Sequence, residues 1–214
     1  MALRVQSGAV PEGAVLLEEP EALKYQWKMV FEWKPTSDVW PFTYGLGALG
    51  GCTALSSIYI NNYYRRRLKL QAFGRIASYF PTVMVPSMMT SFLHQMNVSN
   101  DILLHKGGCP VCLEVRGAVI QVLMGSVYPL ILAPASSFLL ASRYGTYRLP
   151  SLTHDFREVM KVYLKLTRRL GNGFFASVAL QTIAGMVMVH QEFRSLSKVE
   201  DKLSRLEEQY EKKT

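Results

Sequence analysis

The chain has 214 residues, 49% of them hydrophobic, and a formal net charge of +8 from 24 Lys and Arg against 16 Asp and Glu. A mean hydropathy of +0.09 would suit a soluble domain, but residues 39–64, 76–100, 117–142 and 170–191 contain no Asp, Glu, Lys or Arg at all. These runs of 26, 25, 26 and 22 residues exceed the about 20 that a helix needs to cross the hydrocarbon core, so an ordinary soluble domain is excluded, and basic residues flanking apolar spans point to anionic lipid rather than nucleic acid.

Residues 1–38 read as an N-terminal tail with no evident cleavable signal, because Glu12, Glu18, Glu19 and Glu21 follow the single Arg4 too soon for a matrix presequence. Pro20 and the segment after it predict a short amphipathic helix that Pro35 ends. Trp27, Phe31, Trp33 and Trp40 then approach the membrane, either as headgroup-level anchors or as packing against another protein.

Residues 39–191 form the expected transmembrane domain, with four spans at about 40–62, 76–97, 117–140 and 171–190. Gly47 and Gly51 make a GxxxG spacing in the first span, read as packing against a neighbouring span in preference to a dimer contact. Tyr63 and Tyr64 with Arg65, Arg66 and Arg67 close that span as an aromatic and cationic stop. Pro81 and Pro86 interrupt the second span, Pro129 and Pro134 the third. Kinks are expected there, with Ser87, Thr90, Ser126 and Tyr128 near the freed carbonyls. Paired broken helices also build transporter sites, but the spans hold no carboxylate, Lys or Arg to couple, and His94 stands near an exit.

The second loop carries Cys109 and Cys112 as CxxC. With His105 they supply three zinc ligands, and the fourth would have to be the distant His94. A structural disulfide and two free thiols both remain open. The third loop predicts an interfacial helix, with Leu152, Phe156, Val159, Tyr163, Leu166 and Leu170 on one face and Arg157, Lys161, Lys165 and Arg168 on another. That basic face reads as lipid-facing, together with Arg65, Arg66 and Arg67, or as simply solvated. In residues 192–214, Leu196, Val199, Leu203, Leu206 and Tyr210 follow a 3, 4, 3, 4 spacing, a seam for a partner helix that is short enough to need one.

The first and third loops hold 12 Lys and Arg against 2 in the second. By the positive-inside tendency both basic loops face the cytoplasm-like side, the matrix in a mitochondrion, with the second loop and both termini opposite. No phosphate-binding glycine loop or nucleophile motif occurs, and His154 beside Asp155 points apart from it on a helix. The reading is therefore of a non-enzyme without a cofactor or metal, an all-α membrane protein with four spans and three accessory amphipathic helices.

Several pieces stand in a particular order: Arg65–Arg66; Arg75, Ile76 and Ala77 before Pro81 and Pro86; Cys109, Cys112 and Arg116; Tyr128 and Pro129; Arg143 and Tyr144; Leu149 and Pro150. In this order, over residues 45–191, the chain resembles the transmembrane protein 126 family of mitochondrial inner-membrane proteins. The resemblance implies an inner-membrane factor that helps assemble the membrane arm of respiratory complex I alongside other assembly proteins. It carries no catalytic residues, and its CxxC looks more like the vertebrate branch associated with the inner-membrane insertase. The alternatives are a permanent accessory subunit of a respiratory complex and a small-molecule transporter.

Overall fold

The computed structural model describes residues 17–106, 109–147 and 156–212. The expectations placed on Leu149, Pro150, Leu152, His154 and Asp155 lie outside the described residues. A short helix, α1 (Glu19–Glu32), opens with Pro20 in its first turn, where a missing N–H costs no intrahelical bond. The long α2 (Trp40–Arg67) follows. A second helical run comprises α3 (Arg75–Tyr79), α4 (Val85–His94) and α5 (Asn100–Leu103), joined through π-helical turns at Phe80–Met84 and Gln95–Ser99. The third run is α6 (Pro110–Val122) and α7 (Tyr128–Tyr144), joined by a π-helical turn at Leu123–Val127. The last is α8 (Phe156–Glu211).

Proline explains two of the π-helical turns. Each proline lacks an N–H for the carbonyl four residues back, and its ring crowds that carbonyl. Widening the preceding turn, at Phe80–Met84 before Pro86 and at Leu123–Val127 before Pro129, removes the clash without ending the helix. Ser87 and Thr90 do not reach the carbonyls four residues before Pro81 and Pro86, those of Ala77 and Thr82; they donate to the carbonyls of Val83 at 2.6 Å and Pro86 at 2.7 Å. Ser126 does not serve this purpose; its hydroxyl pairs with Ser177 on α8 at 2.8 Å.

One expectation is met in part and another is corrected. Among the described residues two stretches, Pro110–Tyr144 and Arg157–Tyr210, are by themselves long and apolar enough to cross a membrane, not four. The other two runs carry hydroxyl and amide side chains that lower their mean hydropathy: Thr53, Ser56, Ser57 and Asn61 on α2, and Ser78, Thr82, Thr90 and Ser99 in the second run, all buried in the bundle. The interfacial helix, the fourth span and the C-terminal helix are likewise not three elements. They are one continuous helix of 56 residues. Gly171 and Gly173 do not interrupt it. Gly173 lets α2 approach, since a Cβ there would lie 2.1 Å from the Tyr59 hydroxyl oxygen.

The GxxxG pair is corrected as well. Gly47 and Gly51 face outward, and a Cβ on either meets nothing within 4 Å. Close packing inside the bundle falls instead to glycines such as Gly185, where a Cβ would sit 2.8 Å from the Gly117 carbonyl oxygen.

Apolar clusters close both ends. At one, Val30 of α1 and Val39, Phe42, Val98, Ile102, Leu103, Leu113, Val189 and Val199 pack together, with Trp27, Trp33, Leu196 and Leu203 around them. At the other, Leu68 and Leu70 are fully buried against Phe138, Ala141 and Val159.

Candidate functional site

The centre of the bundle is held by two amides. Gln121 on α6 donates to the Leu49 carbonyl at 3.0 Å, to Thr53 Oγ1 at 3.2 Å and to Gln181 Oε1 at 2.7 Å. Gln181 on α8 in turn donates to Ser56 Oγ at 2.7 Å and to the Cys52 carbonyl at 3.1 Å. Thr53 also meets Thr90 of α4 at 3.1 Å. The four helical runs described above are thus tied by one network of largely buried groups. Gly125 makes room for it, because a Cβ there would lie 2.5 Å from Gln181 Nε2. Away from water such a network fixes register, as any misalignment would strand its donors.

The bundle end that holds α1, α5 and the start of α6 is an end of paired charges. His94 and Glu192, both fully buried, meet at 3.3 Å, and Ser99 donates to the same carboxylate oxygen at 2.9 Å. His105 meets Glu200 at 3.0 Å, His190 meets Glu114 at 3.4 Å, and Arg116 meets Asp101 at 2.6 Å. Lys106 pairs with Glu19 of α1. Asp38 receives Lys202 and Trp33, and the Lys202 hydrogen bond holds its carboxyl below the usual carboxylate range. Ser195 donates to the Asp38 carbonyl, and Trp27 to Asn100 Oδ1 at 3.0 Å. Most of these contacts join α8 to an element on the far side of the bundle end, so they clasp the tail to the body.

The opposite end is built around Arg65. Arg65 as a whole is 4% exposed, and its guanidinium donates to the Gln71 carbonyl at 2.9 Å, the Phe73 carbonyl at 2.8 Å, the Gly74 carbonyl at 3.4 Å and Ser78 Oγ at 2.7 Å. The turn after α2 therefore wraps around a cation, with Lys69 at φ 54° and Gln71 at φ 44°, a left-handed backbone that non-glycine residues adopt only when held. The expectation that Arg65 faces lipid together with Arg66 and Arg67 is corrected. Arg65 points inward instead, while the other two are exposed. Arg67 lies over the Tyr63 ring at 5.3 Å.

Arg157, Lys161, Lys165 and Arg168 are exposed on the first turns of α8, with Lys161 paired to Glu158 at 2.6 Å. Val159 and Leu170 on the other face are buried. Of the expected partner seam, Leu196, Val199 and Leu203 pack on the chain's own α1 cluster, whereas Leu206 and Tyr210 are exposed. Cys109 and Cys112 are free and exposed. Cys109 immediately precedes α6, and the hydrogen bond from Cys112 lowers its thiol pKa. His94, tied to Glu192, is not brought to these thiols, and among the described residues no group of three or more His, Cys, Asp or Glu could hold a metal ion.

The family model for Transmembrane protein 126 matches residues 23–205. The chain belongs to this family. A Transmembrane protein 126 from Drosophila melanogaster is 39% identical over 97% of this chain and 94% of its own length. Transmembrane protein 126A from Mus musculus is 27% identical over 77% and 81%, and that from Homo sapiens 23% over 68% and 72%. No solved structure matches. The Transmembrane protein 126 match reaches beyond residues 45–191 to take in residues 23–32 of α1 and most of the tail of α8, which pack together at one bundle end. Sequence reasoning missed Glu192, Gln121, Gln181 and Asp38 as structural centres. The available signal was two amides inside otherwise apolar runs.

Proposed function

We propose that this member of the Transmembrane protein 126 family is a non-catalytic, four-span scaffold of the mitochondrial inner membrane that assists assembly of the membrane arm of respiratory complex I. Its partners are membrane-arm subunits, other assembly factors and anionic lipid. The observation that carries the reading is an inverted burial pattern. In α2 and the second run the polar side chains Thr53, Ser56, Asn61, Thr82 and Thr90 are inside, while Leu55, Ile76, Phe80, Met84, Met88 and Phe92 face out. A soluble bundle arranges these the other way round, and lipid requires this arrangement. Mean hydropathy weighs inner and outer faces equally, so it undercounts two spans whose outer faces suit lipid. Such a body offers apolar surface to membrane helices along its length.

The proline-broken second run and the buried His94–Glu192 pair favour a second reading, proton-coupled transport. The pair is tightly packed, however: a Cβ on Gly117 would lie 2.6 Å from Val189 and 3.5 Å from the His94 ring. Depletion followed by complexome profiling tests the first reading. Loss of membrane-arm intermediates that co-migrate with this protein is the expected result. Normal complex I in depleted cells overturns it, and co-migration with the mature complex alone makes the protein an accessory subunit.

A further inference from the structure

We infer that the cup at the end of α2 binds the phosphate headgroup of an anionic phospholipid. The cup is a half-open cavity of about 620 Å³ lined by Asn62, Arg65, Arg66, Lys69, Gln71 and Arg75. Residues 39–100 contain no Asp or Glu, and among the described residues Arg66, Lys69 and Arg75 form no ion pair, unlike Lys106, Arg116 and Lys202 at the other end. The side-chain Oδ1 of Asn62 accepts from the Tyr79 hydroxyl at 2.6 Å, which turns the amide's N–H₂ to donating a hydrogen bond to a ligand. The cup therefore presents donors and positive charge.

Arg65 points to an anion independently. It is a buried guanidinium whose partners are three carbonyls and a hydroxyl, all neutral. Burying a charge without a counter-charge is costly, and an anion in the cup it lines supplies one.

The surroundings favour a lipid over a free phosphate. A second hollow of about 460 Å³ shares Asn62 and Arg66 and adds Tyr59, Tyr63 and Arg67. The adjoining surface carries Tyr59, Phe73, Ile76 and Phe80, exposed at 50%, 51%, 85% and 62%. Acyl chains lie along such a surface, and a soluble anion has no use for it.

This inference deepens the lipid-partner part of the function proposed above and does not depend on the assembly role. The test is binding of phosphatidylglycerol and phosphatidylcholine to the purified full-length chain, read by native mass spectrometry and titration. Variant R66Q/K69Q/R75Q is compared with K24Q/R194Q/R205Q, which removes equal charge at the other end. At about fivefold per cation, the cup variant loses roughly 100-fold in phosphatidylglycerol affinity and the control loses little. R66K/R75K, which keeps the charge, stays within about fivefold of the parent. Equal loss in both triple variants, or none in the cup variant, overturns the site. Inorganic pyrophosphate that displaces phosphatidylglycerol and binds the lipid-free protein as tightly overturns the lipid source. No partner protein is present in the assay, so its failure leaves the scaffold reading standing, and normal complex I after depletion leaves this site standing.

Discussion

The two ends of the bundle use charge in opposite ways. Where α8 leaves the body, cations and histidines meet carboxylates: His94 with Glu192, His105 with Glu200, Lys106 with Glu19, Lys202 with Asp38. Where α2 ends, Arg65 is buried on neutral oxygens, and Arg66, Lys69 and Arg75 ring a cavity. One end pairs these charges internally and so fixes the tail. The other leaves them for something outside the chain.

Variants can break this contrast, and R65A has the largest expected effect. Stranding three carbonyls at about 1 kcal/mol each costs about 3 kcal/mol, read as a lower melting temperature in detergent and faster tryptic cleavage at Lys69. R65K rescues little, since an ammonium cannot reproduce the fork. At the paired end, E192A leaves His94 and Ser99 unpartnered and costs about 2 kcal/mol, while E192Q keeps an acceptor for Ser99 and costs about half as much. If E192A were as stable as the parent, the buried pair would be incidental. R66A should change stability by less than about 0.5 kcal/mol while weakening lipid retention, which separates the ligand-facing arginine from the structural one beside it.

Asp38 gives the smallest effect, through pH. Its carboxyl titrates below the usual range because of Lys202, so the contact is intact above the unfolded carboxylate pKa and is lost as pH falls through the lowered folded value. Trp33 fluorescence should follow that loss, and D38N should abolish the step. Cys109 offers a separate check at the same end. Its lowered pKa raises the thiolate fraction, so C112A should slow alkylation of Cys109 at neutral pH. Unchanged labelling would mean that Cys112 does not activate it.

The outline of the fold was legible because lipid tolerates few charges, and an uncharged run leaves little else for a chain to be. The prolines were legible too, since Pro86 and Pro129 dictate a disturbed turn before them whatever surrounds them. The network was not. Gln121 and Gln181 register in a sequence only as slightly less apolar positions, and which helix each faces depends on packing. Arg65 and Arg66 read as one cationic stop because they are adjacent, yet successive helical residues point about 100° apart, so one entered the protein and one left it. Glu192 escaped for a related reason. An uncharged run ends by definition at its first charge, so Glu192 counted as tail, one residue beyond Gln191, although it is fully buried. The continuity of α8 was hidden by the same partitioning of the chain into spans and loops.

That continuity links the two ends mechanically. At 1.5 Å per residue, 56 residues make a rod about 84 Å long, longer than a bilayer is thick. It carries Tyr163, Leu166 and Thr167, which touch Tyr63 and Tyr64, and on the same rigid axis Glu192, Glu200 and Lys202. Without a hinge between them, a roll or tilt imposed on the protruding tail moves the contacts beside the basic cup as well, and the protein behaves as a lever with the Gln121–Gln181 network near its fulcrum.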